Sequence, residues 1–233
     1  MPRETLIDFF KDRIRSDKTF LIYDGGYRTH RYSYDEVRRA ACHLANRLVS
    51  AGLIPRDKVI ICGDNRAEWI VAFWGCLLAR VICVPIDFRA SPEFLKRVAS
   101  LVAARIVIAD KSLTANNLTS LDVWPIETLL TKESTASRTH EDINADLTSR
   151  DLAEIIFTSG ATSEPKGVEI THSNVMANIV PVEQEITKYL KYGRPFFSAA
   201  VFESPSAKPH VWSGDGHLYP TDARQHYSLH AWV

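Results

Sequence analysis

Residues 69–88 constrain this chain more than any other segment. Nearly every side chain in the run is apolar, and the run is about as long as a bilayer is thick. It must therefore be a membrane span or the inside of a packed layer. Arg80 decides between the two. A central arginine is costly in hydrocarbon, and Pro85 and Asp87 close the run from the other end. Split at Arg80, the stretch becomes a helix over 67–79, apolar on nearly every face, followed by a strand over 81–84. The expectation is a deeply buried helix feeding a buried strand, with no transmembrane span.

The same alternation continues on both sides. Over 5–15, Leu6, Phe9, Phe10 and Ile14 fall on one helical face. Strands over 20–23 and 27–32 flank a Gly25-Gly26 turn. Ser33 followed by Glu36 is a capping box. It opens a helix whose Val37, Ala40, Ala41, Leu44 and Leu48 share one side and which Gly52 ends. A strand over 58–62, a helix over 92–103 and a strand over 105–109 complete the pattern. Strands alternating with helices at this spacing predict βαβ units and an α/β fold on a mainly parallel sheet. Over about 131–150 the periodicity gives way to Ser, Thr, Asp, Glu and Asn, which reads as a surface linker. Order returns at Leu152.

Composition narrows the function. With 28 basic and 28 acidic residues the formal net charge is +0, so the basic surplus of a nucleic-acid binder is missing. The four cysteines, Cys42, Cys62, Cys76 and Cys83, form no C-x-x-C pair or zinc spacing and read as buried apolar groups in a reducing compartment. The first residues lack the apolar run of a signal peptide. A cytoplasmic location is expected, with at most peripheral contact at a membrane surface.

Residues 155–172 carry the chemistry. A strand runs into a loop rich in hydroxyls and ending Pro165-Lys166-Gly167, a second strand covers 168–171, and Ser173 or Asn174 then serves as the N-cap of a helix. Gly160 lets the backbone approach phosphate oxygens. Thr158, Ser159, Thr162 and Ser163 offer hydroxyls, and neighbouring amides can add a nest. Lys166 brings a positive charge on a long stem, stiffened by Pro165. Such a loop suits a polyphosphate. It is not a Walker loop, because no hydroxyl residue follows the lysine. The plainer alternative is a polar hairpin between two strands. His172 is read either as lining the nucleotide site or as an ordinary polar helix start, and Trp69 and Trp74 as core.

The run Thr158-Ser-Gly-Ala-Thr-Ser-Glu-Pro-Lys-Gly167 resembles the signature loop of the adenylate-forming superfamily, whose usual form is Thr-Ser-Gly-Thr-Thr-Gly-x-Pro-Lys-Gly. The superfamily includes acyl-CoA synthetases, luciferases and peptide-synthetase adenylation domains. The departures are Ala161, which loses a hydroxyl, and Ser163 in place of glycine. Upstream, Asp64-Asn-Arg-Ala-Glu-Trp69, Phe73-Trp-Gly-Cys-Leu-Leu-Ala79 and Val81-Ile-Cys-Val-Pro85 are similar to the family's early βαβ region, with Arg80 standing where glycine is usual. The likeness covers about 5–195, and the wording of the N-terminal half looks closest to the long-chain fatty acid branch. The resemblance implies an AMP-forming acid–thiol ligase that uses ATP and Mg2+, with a fatty acid and coenzyme A as partners. It assigns the ATP phosphates to Thr158, Ser159, Gly160, Thr162, Ser163, Lys166 and Gly167, and no catalytic residue.

The family's later segments do not appear: the aromatic-Gly-x-Thr-Glu motif, the ribose aspartate and the lid domain with its lysine. The fold expected is thus an incomplete N-terminal domain over 1–197, with the phosphate loop at 158–167. Residues 198–233 show neither helical nor strand periodicity. Read one base later through synonymous codons, the segment from Ala200 can give Arg-Phe-Leu-Asn-Leu-Leu-Pro-Leu-Ser-His-Met-Phe-Gly, which resembles the family's next strand and turn. A one-base slip near 197–200 would make the tail an out-of-frame, disordered segment. Three readings of the chain follow: an inactive ligase fragment, a non-catalytic nucleotide-binding module, or an unfolded product whose half-sheet exposes an unpaired edge.

Overall fold

The computed structural model describes residues 3–13, 17–24, 29–111, 121–136, 147–158, 165–190, 210–212 and 218–220. Helix α1 spans Leu6–Arg13, and Thr5 precedes it. The Thr5 hydroxyl accepts from the Asp8 N–H at 3.2 Å, and the Asp8 carboxylate accepts from the Thr5 N–H at 3.0 Å. Strands β1 (Thr19–Asp24) and β2 (Thr29–Ser33) pair antiparallel; the Gly25-Gly26 turn lies outside the described residues. Helix α2 (Tyr34–Ser50) opens on the expected capping box. Ser33 Oγ accepts from the Glu36 N–H at 3.2 Å, and the Glu36 carboxylate accepts from the Ser33 N–H at 2.7 Å, so two donors left over at the helix start are satisfied together.

The chain then alternates. Strand β3 (Lys58–Cys62), helix α3 (Ala67–Leu78), strand β4 (Ile82–Ile86), helix α4 (Pro92–Val102) and strand β5 (Ile106–Ala109) follow one another. After them come β6 (Asp122–Pro125), a 3-10 turn (Ile126–Thr128), helix α5 (Lys132–Ala136), strands β7 (Leu152–Thr158) and β8 (Lys166–Thr171), and helix α6 (His172–Leu190). Six strands form one sheet in the order β6-β5-β3-β4-β7-β8. All neighbours are parallel except β7 and β8.

Both faces of this sheet are covered, and the pleat sorts the side chains. Val59, Ile61, Cys83, Ile106 and Ile108 pack with α1, α2, α3 and the start of α6. Ile60, Cys62, Ile82, Val84 and Val107 pack with Leu95, Val98 and Ala99 of α4. Strands buried on both sides read as continuous apolar runs rather than alternating ones, which is how β3, β4 and β5 look in the sequence. Because α3 and α4 lie on opposite faces, the winding of the chain reverses between β3 and β4, and loops leaving the carboxyl ends of the strands diverge there.

Helix α3 is the centre of the core. Trp74 and Phe73 are each 1% exposed, and the Phe10 ring of α1 lies 4.7 Å from that of Trp74. Gly75 lets α2 approach: a Cβ there would sit 2.6 Å from Leu44 Cδ2. The four cysteines are buried thiols. Burial, with Asp110 and Asp87 nearby, pushes the Cys62 thiol up to about 12, and burial drives Cys76 and Cys83 upward as well, so none of these three is a ready nucleophile.

The helices α2, α3 and α4 end alike. Leu53 N–H donates to the Leu48 carbonyl at 3.2 Å, Val81 to Cys76 at 3.0 Å, and Ala104 to Ala99 at 2.9 Å. In each the preceding residue has left-handed backbone, Gly52 at φ 79, Arg80 at φ 60 and Ala103 at φ 52. This is the Schellman closure, which favours glycine. The structure thus gives the physical reason why glycine suits position 80, and Arg80 holds that conformation against a steric cost of about 1 kcal/mol.

Three details differ from the sequence reading. Within the segment expected as linker, Lys132–Ala136 is a short helix against α2, with Ser134 Oγ donating at 2.8 Å to the Leu129 carbonyl; residues 137–146 lie outside the described residues. The cap of α6 is Thr171, not Ser173 or Asn174: its hydroxyl accepts from the Asn174 N–H at 3.2 Å, and the Asn174 side-chain oxygen accepts from the Thr171 N–H at 3.0 Å. In the tail, His210–Trp212 (β9) and Leu218–Pro220 (β10) pair antiparallel, apart from the main sheet. The rest of 198–233 lies outside the described residues. Among the described residues no helix is long and apolar enough to cross a membrane.

Candidate phosphate loop at the carboxyl end of the sheet

The candidate loop joins β7 to β8. β7 runs parallel to β4, so its end at Thr158 falls at the same edge of the sheet as the ends of β3, β4 and β5. That edge is where open α/β sheets receive ligands. β8 returns antiparallel, with Phe157 opposite Gly167 and Thr158 opposite Lys166. Thr158 and Lys166 therefore form the mouth of the hairpin, and Lys166 is exposed. Ser159, Gly160, Thr162 and Ser163 lie outside the described residues. What the structure fixes is the frame that delivers them: two paired strands with a lysine at the exit.

Gly167 has its own reason for being glycine. A Cβ there would lie 2.9 Å from Ile155 Cγ2 and 3.0 Å from the Phe157 ring. Its absence lets β8 lie close over the aromatic ring, so Gly167 supports the loop by packing.

At the neighbouring strand ends sits a charged cluster that no short motif announces. Arg66 contacts Glu68 through two nitrogens, at 2.9 and 3.1 Å, and Asp110 at 3.3 Å. Glu127 lies 3.8 Å away. The Asp110 carboxylate also accepts from the Asp64 N–H at 3.0 Å. Burial alone would lower the Arg66 pKa, but the hydrogen bonds and charge of Glu68, with Asp110 and Glu127, more than offset it and raise it. Arg66 thus ties the loop after β3 to those after β5 and β6. Sequence reading saw only part of this segment, since the partners of Arg66 come from three separate stretches of chain.

His172 does not line the candidate loop. It sits at the opposite end of β8, is 1% exposed, and its Nδ1 accepts from the Leu6 N–H at 3.2 Å. Its backbone N–H donates to the Asp151 carbonyl at 3.0 Å. Burial holds the imidazole down to about 4, against the opposing pull of Asp151 and Asp8. The ring is therefore neutral at neutral pH, and with Nδ1 accepting it carries its proton on Nε2. The residue is a structural anchor for α1, and of the two readings of His172 the nucleotide-lining one fails. Trp69 and Trp74 both belong to the core, as expected.

The chain matches known proteins along most of its length. The sequence model of the AMP-binding enzyme family matches residues 11–204. The chain is 32% identical over 192 residues to surfactin synthase subunit 2 of Bacillus subtilis, covering 79% of this chain and 5% of that protein. It is 26% identical to a D-alanine–D-alanyl carrier protein ligase of Streptococcus pyogenes, covering 74% of this chain and 33% of that one. The chain therefore spans a third or less of these relatives. Among solved structures, the fatty acid AMP ligase of Legionella pneumophila superposes with a TM-score of 0.63 at 23% identity, over 75% of this chain and 31% of that one. The N-terminal subdomain of NpsA from Klebsiella oxytoca, solved with 3-hydroxyanthranilyl-AMSN, gives 0.60 at 24% identity, over 74% of this chain and 42% of that one. These two likenesses bear on the fold alone. The sequence match over residues 11–204, more than half of the chain, places it in the AMP-binding enzyme family of adenylate-forming, ligase-type enzymes.

Proposed function

We propose that the chain supplies the ATP-phosphate-binding part of a ligase that joins a carboxylate to AMP and passes the acyl group to a thiol. The observation that carries the reading is the hairpin mouth: Thr158 opposite Lys166, at the carboxyl edge of the sheet, around residues 159–164. In this proposal Thr158, Ser159, Thr162 and Ser163 donate hydroxyl hydrogen bonds to phosphate oxygens. Gly160 admits the backbone, and the Lys166 ammonium offsets the triphosphate charge. Gly167 holds the second strand in place. Stabilising charge on a departing pyrophosphate is the main service such a loop gives. Magnesium would travel with the triphosphate. No residue of the chain is assigned to it.

The finer reading is a fatty acid as the carboxylate and coenzyme A as the thiol, supported by the wording of the N-terminal half. The relatives named above include a carrier-protein ligase and a peptide synthetase, so amino acids and carrier thiols are the competing substrates. The chain alone binds ATP without turnover in this proposal, because it spans a third or less of those relatives. The tail from about 198 belongs to a shifted reading frame, and resequencing the DNA across codons 195–223 tests that part.

Calorimetric titration with ATP tests the site. Saturable binding is expected, weakened roughly 10- to 100-fold by Lys166→Ala, the loss of one charge-assisted contact. Equal affinity in the variant would overturn the assignment of Lys166. AMP release with any fatty acid would overturn the expected lack of turnover.

A further inference from the structure

At the opposite end of the sheet from the phosphate loop, a cleft of about 270 Å³ opens where β4 and β7 begin and β8 ends. Its lining is divided. Leu77, Val81, Leu147 and Leu152 make an apolar wall, Arg56 and Arg80 are the cations at it, and the neutral His172 lies among the lining residues. Asp151 is the acidic group there. Its carboxylate is already satisfied, accepting from the Thr148 N–H at 2.9 Å, the Thr148 hydroxyl at 2.9 Å and Arg56 Nη2 at 3.0 Å. Arg80 is different: its Nε is buried and has no hydrogen-bond partner among the described residues. Proteins rarely leave a buried donor unmatched without a reason.

Two independent turn rules make the arginines notable. The turn at 54–57 closes with the Asp57 N–H on the Ile54 carbonyl at 3.1 Å. Pro55 stands second and Arg56 third with φ 75, the position of a type II turn that calls for glycine or asparagine. Arg80 stands at the Schellman position of α3 with φ 60, which also calls for glycine. The two turns are joined, since the Arg56 N–H donates to the Arg80 carbonyl at 2.9 Å. Arginine thus occupies both glycine-favouring positions, and both arginines line one cleft. Backbone strain of this kind persists where a site has a use for the side chain.

We propose that this cleft binds a small organic carboxylate, its acid group on Arg80 and its aliphatic body against Leu77, Val81, Leu147 and Leu152. The site lies apart from the phosphate loop, about the seven-residue length of β7 away, and it does not depend on the nucleotide reading.

Thermal unfolding of the full chain at fixed ionic strength, with hexanoate as probe and hexanol as its neutral counterpart, tests the proposal. Hexanoate should raise Tm saturably, by roughly 5 °C at a hundredfold excess over Kd, and hexanol should not. Arg80→Gly relieves the left-handed strain, so it should melt no lower than the parent and lose the hexanoate shift. Arg80→Asn, which also tolerates this backbone, should behave alike if the glycine variant fails to fold. Lys166→Ala should keep the shift. The proposal is overturned if hexanol acts as hexanoate does, if no saturable shift appears, or if the glycine or asparagine variant keeps the shift. Loss of the shift in Lys166→Ala also overturns it, by moving the acid to the phosphate loop.

Discussion

The two sides of the sheet are built differently. Strands β3, β4 and β5 are covered on both faces and hydrogen-bonded on both edges, and Val59, Ile60, Ile61 and Cys62 of β3 are all fully buried. Strand β8 is the last strand of the sheet; its first four residues are exposed, and Val168 keeps 51% of its surface. The first region holds itself together by packing. The second is held mainly by its ladder to β7 and by the helix that follows. Ligand loops in such folds grow from strand ends, and here the loop grows from the side with less packing, where local opening costs least.

Truncation gives the widest contrast between the two. Trp74→Ala should cost about 3–5 kcal/mol, because it empties the middle of α3 against Phe10 and Phe73. Val168→Ala on β8 should cost under about 0.5 kcal/mol. Urea unfolding of both variants measures the difference, and comparable losses would mean that β8 belongs to the core after all.

Acid attacks the seam between the regions. His172 is buried and neutral, with its pKa held down to about 4 from an ordinary value of about 6.5. The unfolded chain therefore binds more protons than the folded one between those values, and stability rises with pH through that window. The contribution is fully present above about pH 6.5 and lost as pH falls toward 4, up to about 3 kcal/mol in all. Unfolding free energy measured across pH 4–7 should show this slope, and His172→Gln should flatten it.

A finer test lies within the packed side. Gly75→Ala gains helix propensity of about 1 kcal/mol but forces a methyl into Leu44, at an overpacking cost of about 1–3 kcal/mol. A net loss of about 1 kcal/mol is expected by chemical denaturation. A stabilised variant would show that α2 and α3 can part without penalty.

The elements that sequence reading located were those whose signals are local. The capping box at Ser33 and Glu36, the Pro92 start of α4 and the apolar runs of β3 and β5 each need only a few neighbours. Strand β6 escaped because Asp122-Val-Trp-Pro125 is short, at the sheet edge and half-buried, with no period to see. Helix α5 escaped because Lys132-Glu-Ser-Thr-Ala136 has a loop's composition and is held through Ser134, a contact invisible in the residue string. The loop frame was legible as strand, turn and strand. The roles of Arg66 and His172 were not, because their partners are distant in sequence: Arg66 meets Asp110 44 positions on, and His172 meets Leu6 across 166 positions.

That last separation sets an order of events during synthesis. At about 5–20 residues per second, a ribosome takes roughly 10–30 s to travel from codon 6 to codon 172. Through that interval the N-terminal helix waits for its histidine. The Phe10 ring can meet Trp74 far sooner, so α1 can settle on α3 before its backbone is pinned. A growing chain of this protein therefore passes through a stage with the helix resting but unlatched, and the latch arrives only once the strand returning from the candidate loop has been made.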